Sequence, residues 1–168
     1  MIKKNKKVQI ITTKDSDFTY GEFLKSETAL RKGIKNIPNE EQIKNLETLT
    51  AKVLQPVRDE FGPILVTSGY RSIELCIAIG SSITSNHPKG EAADIEPVNQ
   101  NILLIDVLNW IYMNCDFREL IAEYFPSGWV HVAYREGDNN RQVKLKDVNH
   151  NYTRCSIDYI NKLYKKNT

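Results

Sequence analysis

Cysteine is scarce in this chain of 168 residues: Cys76, Cys115 and Cys155 are odd in number and widely separated. That excludes a disulfide framework and any paired-cysteine metal or redox motif, and leaves reduced thiols packed as small apolar side chains as the expectation. Long apolar runs are missing as well. No stretch approaches the ~20 residues of a membrane span, so no membrane insertion is expected. Val8–Thr12 is too short for the apolar core of a signal peptide, so nothing read here directs export. Charge of one sign is also lacking: the net charge is +2, which gives no strong field for nucleic acid. The lysines at 3, 4, 6 and 7 and at 162, 165 and 166 lack interleaved aromatics. Residues 1–14 and 160–168 are therefore expected to be solvated basic tails, attracted at most weakly to an anionic polymer such as a cell wall.

What is present is ordinary for a globular protein, with 40% hydrophobic and 26% charged residues. With no repeat, low-complexity segment or linker, residues 1–168 read as a single domain and a monomer. Val8–Thr12 is a candidate strand. Thr19 and Glu22 have capping-box spacing before a short helix, and Gly33 is a stop for the next one. Asn39 and Gln42 open the clearest helix. Its apolar stripe is Ile43, Leu46, Leu49, Val53, Leu54, Val57 and Phe61, and Pro56 predicts a kink within it. Ile64–Thr67 reads as a buried strand running into the loop Ser68-Gly69-Tyr70-Arg71-Ser72. Further helices are expected over Glu74–Ile79 and over about Asn101–Met113, with Ile102, Ile105, Leu108, Ile111 and Tyr112 inward.

The last sheet region reads as a hairpin, Arg118–Phe125 and Trp129–Tyr134, around Pro126-Ser127-Gly128. Alternation puts Trp129, His131 and Ala133 on one face and Val130, Val132 and Tyr134 on the other. A turn centred on Ser127 would set Glu123 directly across from His131.

Histidine is as rare as cysteine, at His87, His131 and His150. His87 stands seven residues before Asp94 in Ser85-Asn86-His87-Pro88-Lys89-Gly90-Glu91-Ala92-Ala93-Asp94, with Gly90 allowing a tight fold between them. His131 stands in Trp129-Val130-His131-Val132. Two imidazoles and a carboxylate are the donor set of an open zinc site that activates water. By residue type alone the same groups serve equally as a loop histidine, a turn aspartate and a sheet histidine. His150 lies in a polar run and is expected to be exposed and without a role.

The ordered motifs Ser68–Ser72 (S-G-Y-R-S), Ser85–Asp94 (S-x-H-x-x-G-x-A-x-D) and Trp129–Tyr134 resemble the peptidase M15 family. Ser26–Ala29 and Val53–Arg58 are similar too. The similarity runs from about residue 18 to about 143 and is greatest with the D-alanyl-D-alanine carboxypeptidase-like branch common in phages and prophages. It implies an α+β fold of hedgehog/DD-peptidase type, with helices packed on an antiparallel sheet that carries a zinc cleft.

One Zn²⁺ per chain is implied, held by His87, Asp94 and His131. The resemblance also implies that Arg71 acts on the substrate's carboxylate or scissile carbonyl, supported by Ser68, Tyr70, Ser85 and Trp129 around it. Better-studied branches carry the catalytic acid three residues before the last histidine, where this chain has Gly128. Here the general base is assigned to Glu123, in Leu120-Ile121-Ala122-Glu123, ahead of Glu119 and Glu91. Ala133 stands where serine is usual, and Asn86 where glutamine is frequent.

The implied activity is zinc-dependent hydrolysis of peptidoglycan stem peptides, of D-Ala-D-Ala carboxypeptidase or L-Ala-D-Glu endopeptidase type. It would serve a phage or prophage, acting on the cell wall after release from the host cytoplasm or from a virion. The alternative is a non-catalytic, zinc-containing virion or wall-binding module.

Overall fold

In the computed structural model, residues 16–167 are described; the candidate strand Val8–Thr12 and the basic stretch 1–14 lie outside them. The local signals of the first half act as read. Glu22 accepts the Thr19 N–H at 2.8 Å at the start of α1 (Tyr20–Leu24). Ser26 caps α2 (Glu27–Lys32), which Gly33 ends in a left-handed conformation at φ 66. Asn39 and Gln42 exchange capping hydrogen bonds of 2.8 and 2.9 Å at the head of α3 (Glu40–Leu49).

The kink predicted from Pro56 takes the form of a wide π-helical turn at Thr50–Leu54, followed by α4 (Gln55–Phe61). Proline has no N–H to donate and its ring crowds the carbonyl four residues back, and the widened turn just ahead of it relieves both problems. The apolar stripe survives the change of pitch, and Leu46, Leu49, Val53, Leu54 and Val57 are all fully buried.

Six strands follow: β1 (Ile64–Ser68), β2 (Ala92–Pro97), β3 (Glu119–Glu123), β4 (Trp129–Ala133), β5 (Gln142–Lys146) and β6 (Tyr152–Arg154). Their order in one sheet is β1-β2-β4-β3-β5-β6. Between β1 and β2 lies α5 (Ile73–Ala78), between β2 and β3 lies α6 (Leu104–Asn114), and α7 (Ile157–Asn167) closes the chain. The α+β class is as expected, but the sheet is mixed, not wholly antiparallel. β4 ends beside the start of β3, and residues 134–141 take the chain past that end to the other side of β3, so that β5 pairs with β3 in parallel.

Two other expectations change. Ile64–Thr67 is not a buried strand: it occupies the sheet edge, and Leu65 points outward at 44% exposure. Residues 160–167 are not a free tail. They belong to α7, whose Ile160 is fully buried in the core. Asn109 of α6 and Asn161 of α7 further exchange amide hydrogen bonds of 2.9 and 3.1 Å.

Strand periodicity divides the sheet into two functional faces. Val66, Ala93, Ile95, Leu120, Ala122, Val130 and Val132 pack with α3, α4 and α6 into the core. The opposite face carries Asp94, Glu119, Ile121, Glu123 and His131, and the loop that brings in His87 lies over it.

Candidate active site

Asp94 and His131 are directly paired across β2 and β4, which sets their side chains side by side on the face away from the helices. His87 comes from a different direction. It opens a short 3₁₀ turn, His87–Lys89, that Gly90 closes at φ 72. A β-carbon on Gly90 would collide with the Gln42 carbonyl oxygen, so glycine is required for both backbone angle and close approach. Helix α3 clamps this turn, since Gln42 donates to the Pro88 carbonyl at 2.8 Å and Asn45 to the Lys89 carbonyl at 2.9 Å. The His87 ring is fixed in turn by its Nδ1, which donates to the Gly69 carbonyl at 2.6 Å and leaves Nε2 facing the cluster.

Three donor atoms converge as a result. His87 Nε2 lies 3.3 Å from His131 Nδ1 and 3.4 Å from Asp94 Oδ1, and His131 Nδ1 lies 2.8 Å from Asp94 Oδ1. Tetrahedral zinc with ligand bonds of about 2.0–2.2 Å needs its ligand atoms about 3.3–3.5 Å apart. Two of the three separations meet that spacing, and the third is a hydrogen bond that has to open slightly and give up its proton when a metal binds. His87, Asp94 and His131 are the one group of three such side chains among the described residues whose ligand atoms sit this close together, and all three are buried.

The electrostatics suit a cation. Burial would raise the Asp94 pKa, but the two imidazoles override it and hold the carboxylate far below its usual range. Burial pushes His87 down toward the neutral imidazole that binds metal. For His131 burial acts in the same direction, yet Asp94 and Glu119 outweigh it and raise the ring to about 9. The cluster therefore favours one positive charge between its carboxylates.

His87 and His131 form the floor of an open cleft of about 400 Å³, whose walls include Arg71, Ser85, Glu119, Glu123 and Lys144. Arg71 NH2 stands 3.7 Å from Asp94 Oδ2, and Ser85 Oγ is buried with no hydrogen-bond partner. The other support residues named from sequence are elsewhere. Tyr70 is a core side chain, and neither it nor Ser68 nor Trp129 lines the cleft. Glu91 is committed to Arg135 by contacts of 2.7–3.0 Å. His150 is exposed as expected but not without a partner, since its Nδ1 meets the Tyr124 hydroxyl at 2.6 Å.

The hairpin register departs from expectation. The turn centres on Pro126, not Ser127, so Ile121 faces His131 while Glu123 faces Trp129. The slip is two residues, which keeps Glu119 and Glu123 on the site face but moves each to a diagonal position beside His131. Glu119 Oε1 is 3.5 Å from His131 Nε2 and its other oxygen is held by Lys144. Glu123 Oε2 accepts from Lys146 at 2.8 Å. Burial tends to raise the Glu119 pKa, but His131 and Lys144 bring it down to about 2. Gly128 has a steric cause: a side chain there would run into the Glu123 carbonyl, so no acid can stand three residues before His131.

Sequence reasoning missed the β5 lysines. The strict alternation of Gln142-Val143-Lys144-Leu145-Lys146 was the available signal, with Val143 buried in the core and the polar residues directed to the site face. Residues 16–133 match the family model described as peptidase M15, ending earlier than the expected 143 and leaving β5, β6 and α7 beyond the matched part. A search of the curated proteins finds no match.

Proposed function

The chain belongs to the peptidase M15 family, and from that premise we propose a zinc-dependent hydrolase of peptidoglycan stem peptides, employed by a phage or prophage against the cell wall. One observation carries the reading: His87 Nε2, Asp94 Oδ1 and His131 Nδ1 converge within 3.4 Å at the base of a polar cleft that the two histidines line. Zinc, when bound, lowers the pKa of water and polarises the scissile carbonyl.

The remaining chemistry falls to this chain's own side chains. Arg71, on the cleft wall, offers a planar fork suited to the substrate's carboxylate or its scissile carbonyl. Glu123 is assigned the proton: it takes one from the attacking water and delivers it to the leaving amine. Lys146 engages Glu123 Oε2 only, whereas one Glu119 oxygen is held by Lys144 and the other faces His131 Nε2 at 3.5 Å. That difference favours Glu123 over Glu119 as base.

The test is digestion of purified cell walls followed by mass spectrometry of the stem peptides, with and without chelator. Wild type is expected to release either terminal D-alanine or a peptide cut between L-alanine and D-glutamate. Glu123→Gln is expected to lower the rate 10²–10⁴-fold with metal content unchanged. Wild-type protein that holds zinc but cuts nothing would establish the non-catalytic module instead.

A further inference from the structure

The two histidines of the cluster are served differently at their outward nitrogens. His87 Nδ1 is satisfied by the Gly69 carbonyl at 2.6 Å. His131 Nε2 is buried and makes no hydrogen bond, and the carboxylate oxygen facing it, Glu119 Oε1, stands 3.5 Å away. An imidazole that binds a cation through Nδ1 carries its proton on Nε2, and a buried N–H needs an acceptor.

The sheet builds a place for that acceptor. Glu119 lies in register with Ala133, and Ala133 with Ala92, so on the β4 and β2 side of Glu119 the row beside His131 carries only methyl side chains, which leaves room for the carboxylate. The second Glu119 oxygen is anchored by Lys144 of β5, the residue paired with Ile121 in the parallel ladder. This anchor comes from outside the part of the chain that matches the family, residues 16–133.

We propose that Glu119 is a positioning residue for the metal centre: it accepts the Nε2–H of His131, fixes the tautomer that presents Nδ1 to the cluster, and is held there by Lys144. The proposal rests on the zinc reading of the site. It makes metal affinity depend on a strand that the family match does not include.

Cobalt(II) titration of the chelator-stripped full chain, followed by visible absorption, tests it in wild type, Glu119→Ala, Glu119→Gln and Lys144→Met. Glu119→Ala is expected to weaken cobalt binding about 10–100-fold and to shift the absorption bands. Glu119→Gln, which keeps an acceptor oxygen, is expected to recover most of the affinity. Lys144→Met, distant from the ligand atoms, is expected to lose less than Glu119→Ala but more than Glu119→Gln. Wild-type affinity and spectrum in Glu119→Ala overturn the proposal while leaving the zinc reading intact. A wild type that takes up no cobalt overturns the zinc reading itself. Should Glu119→Ala fail to fold by circular dichroism, Lys144→Met decides, and unchanged affinity and bands in that variant overturn the proposal.

Discussion

Gly128→Ala isolates the reason this chain has no acid three residues before His131. A β-carbon at Gly128 would overlap the Glu123 carbonyl oxygen and lie 2.9 Å from both the Glu123 carbonyl carbon and Tyr124 Cβ. Relaxed carbon contacts lie at about 3.5–4.0 Å. The atoms met belong mainly to backbone that is already paired in the sheet, so neither can swing aside as a flexible side chain would. Overpacking of this kind costs about 1–3 kcal/mol, and the upper end applies here. For a domain of this size each kcal/mol corresponds to about 2–4 °C, so the melting temperature should fall by about 6–12 °C. Gly21→Ala is the internal control, because its β-carbon would meet nothing closer than Thr19 Oγ1 at 3.7 Å and it sits inside α1. There the same substitution should stabilise by about 0.5–1 kcal/mol. Thermal and urea melts of both variants provide the comparison. A Gly128→Ala protein within ~0.5 kcal/mol of wild type would refute the steric account, and with it the claim that the acid must come from β3.

Two further outcomes follow from the fold and the site. Zinc added at about 100 times its dissociation constant should stabilise the protein by about 2.7 kcal/mol, or about 5–11 °C, and His131→Ala should abolish that shift in a thermal melt. Ile160→Ala, which empties a fully buried position of α7, should cost about 2–5 kcal/mol in urea melts, whereas a free tail would show no change.

Much of the site was legible because its signals are local. Gly90, seven-residue spacing and capping residues act within one or two turns of chain, so His87 and Asp94 could be read as partners from sequence. His131 required a resemblance, since nothing local relates it to residues thirty-seven or more positions away. The roles of Glu119 and Glu123 were only half legible. Alternation assigned both to the site face, but their position along it hung on the turn, and Tyr124 at φ 53 with the five-residue loop 124–128 set a register two residues off the expected one. The lysines near the C-terminus misled for a related reason: Lys162, Lys165 and Lys166 mark the solvent side of α7, while Ile157 and Ile160 bury the other.

By itself, then, the sequence determined the capped starts of α1 and α3, the two faces of β3 and β4 and the pairing of His87 with Asp94, because periodicity and capping are properties of neighbouring residues. Only the tertiary structure decided which carboxylate meets which partner. Register across a ladder, and the parallel entry of β5 that brings Lys144 to Glu119 and Lys146 to Glu123, depend on where distant segments pack and not on the residues beside them.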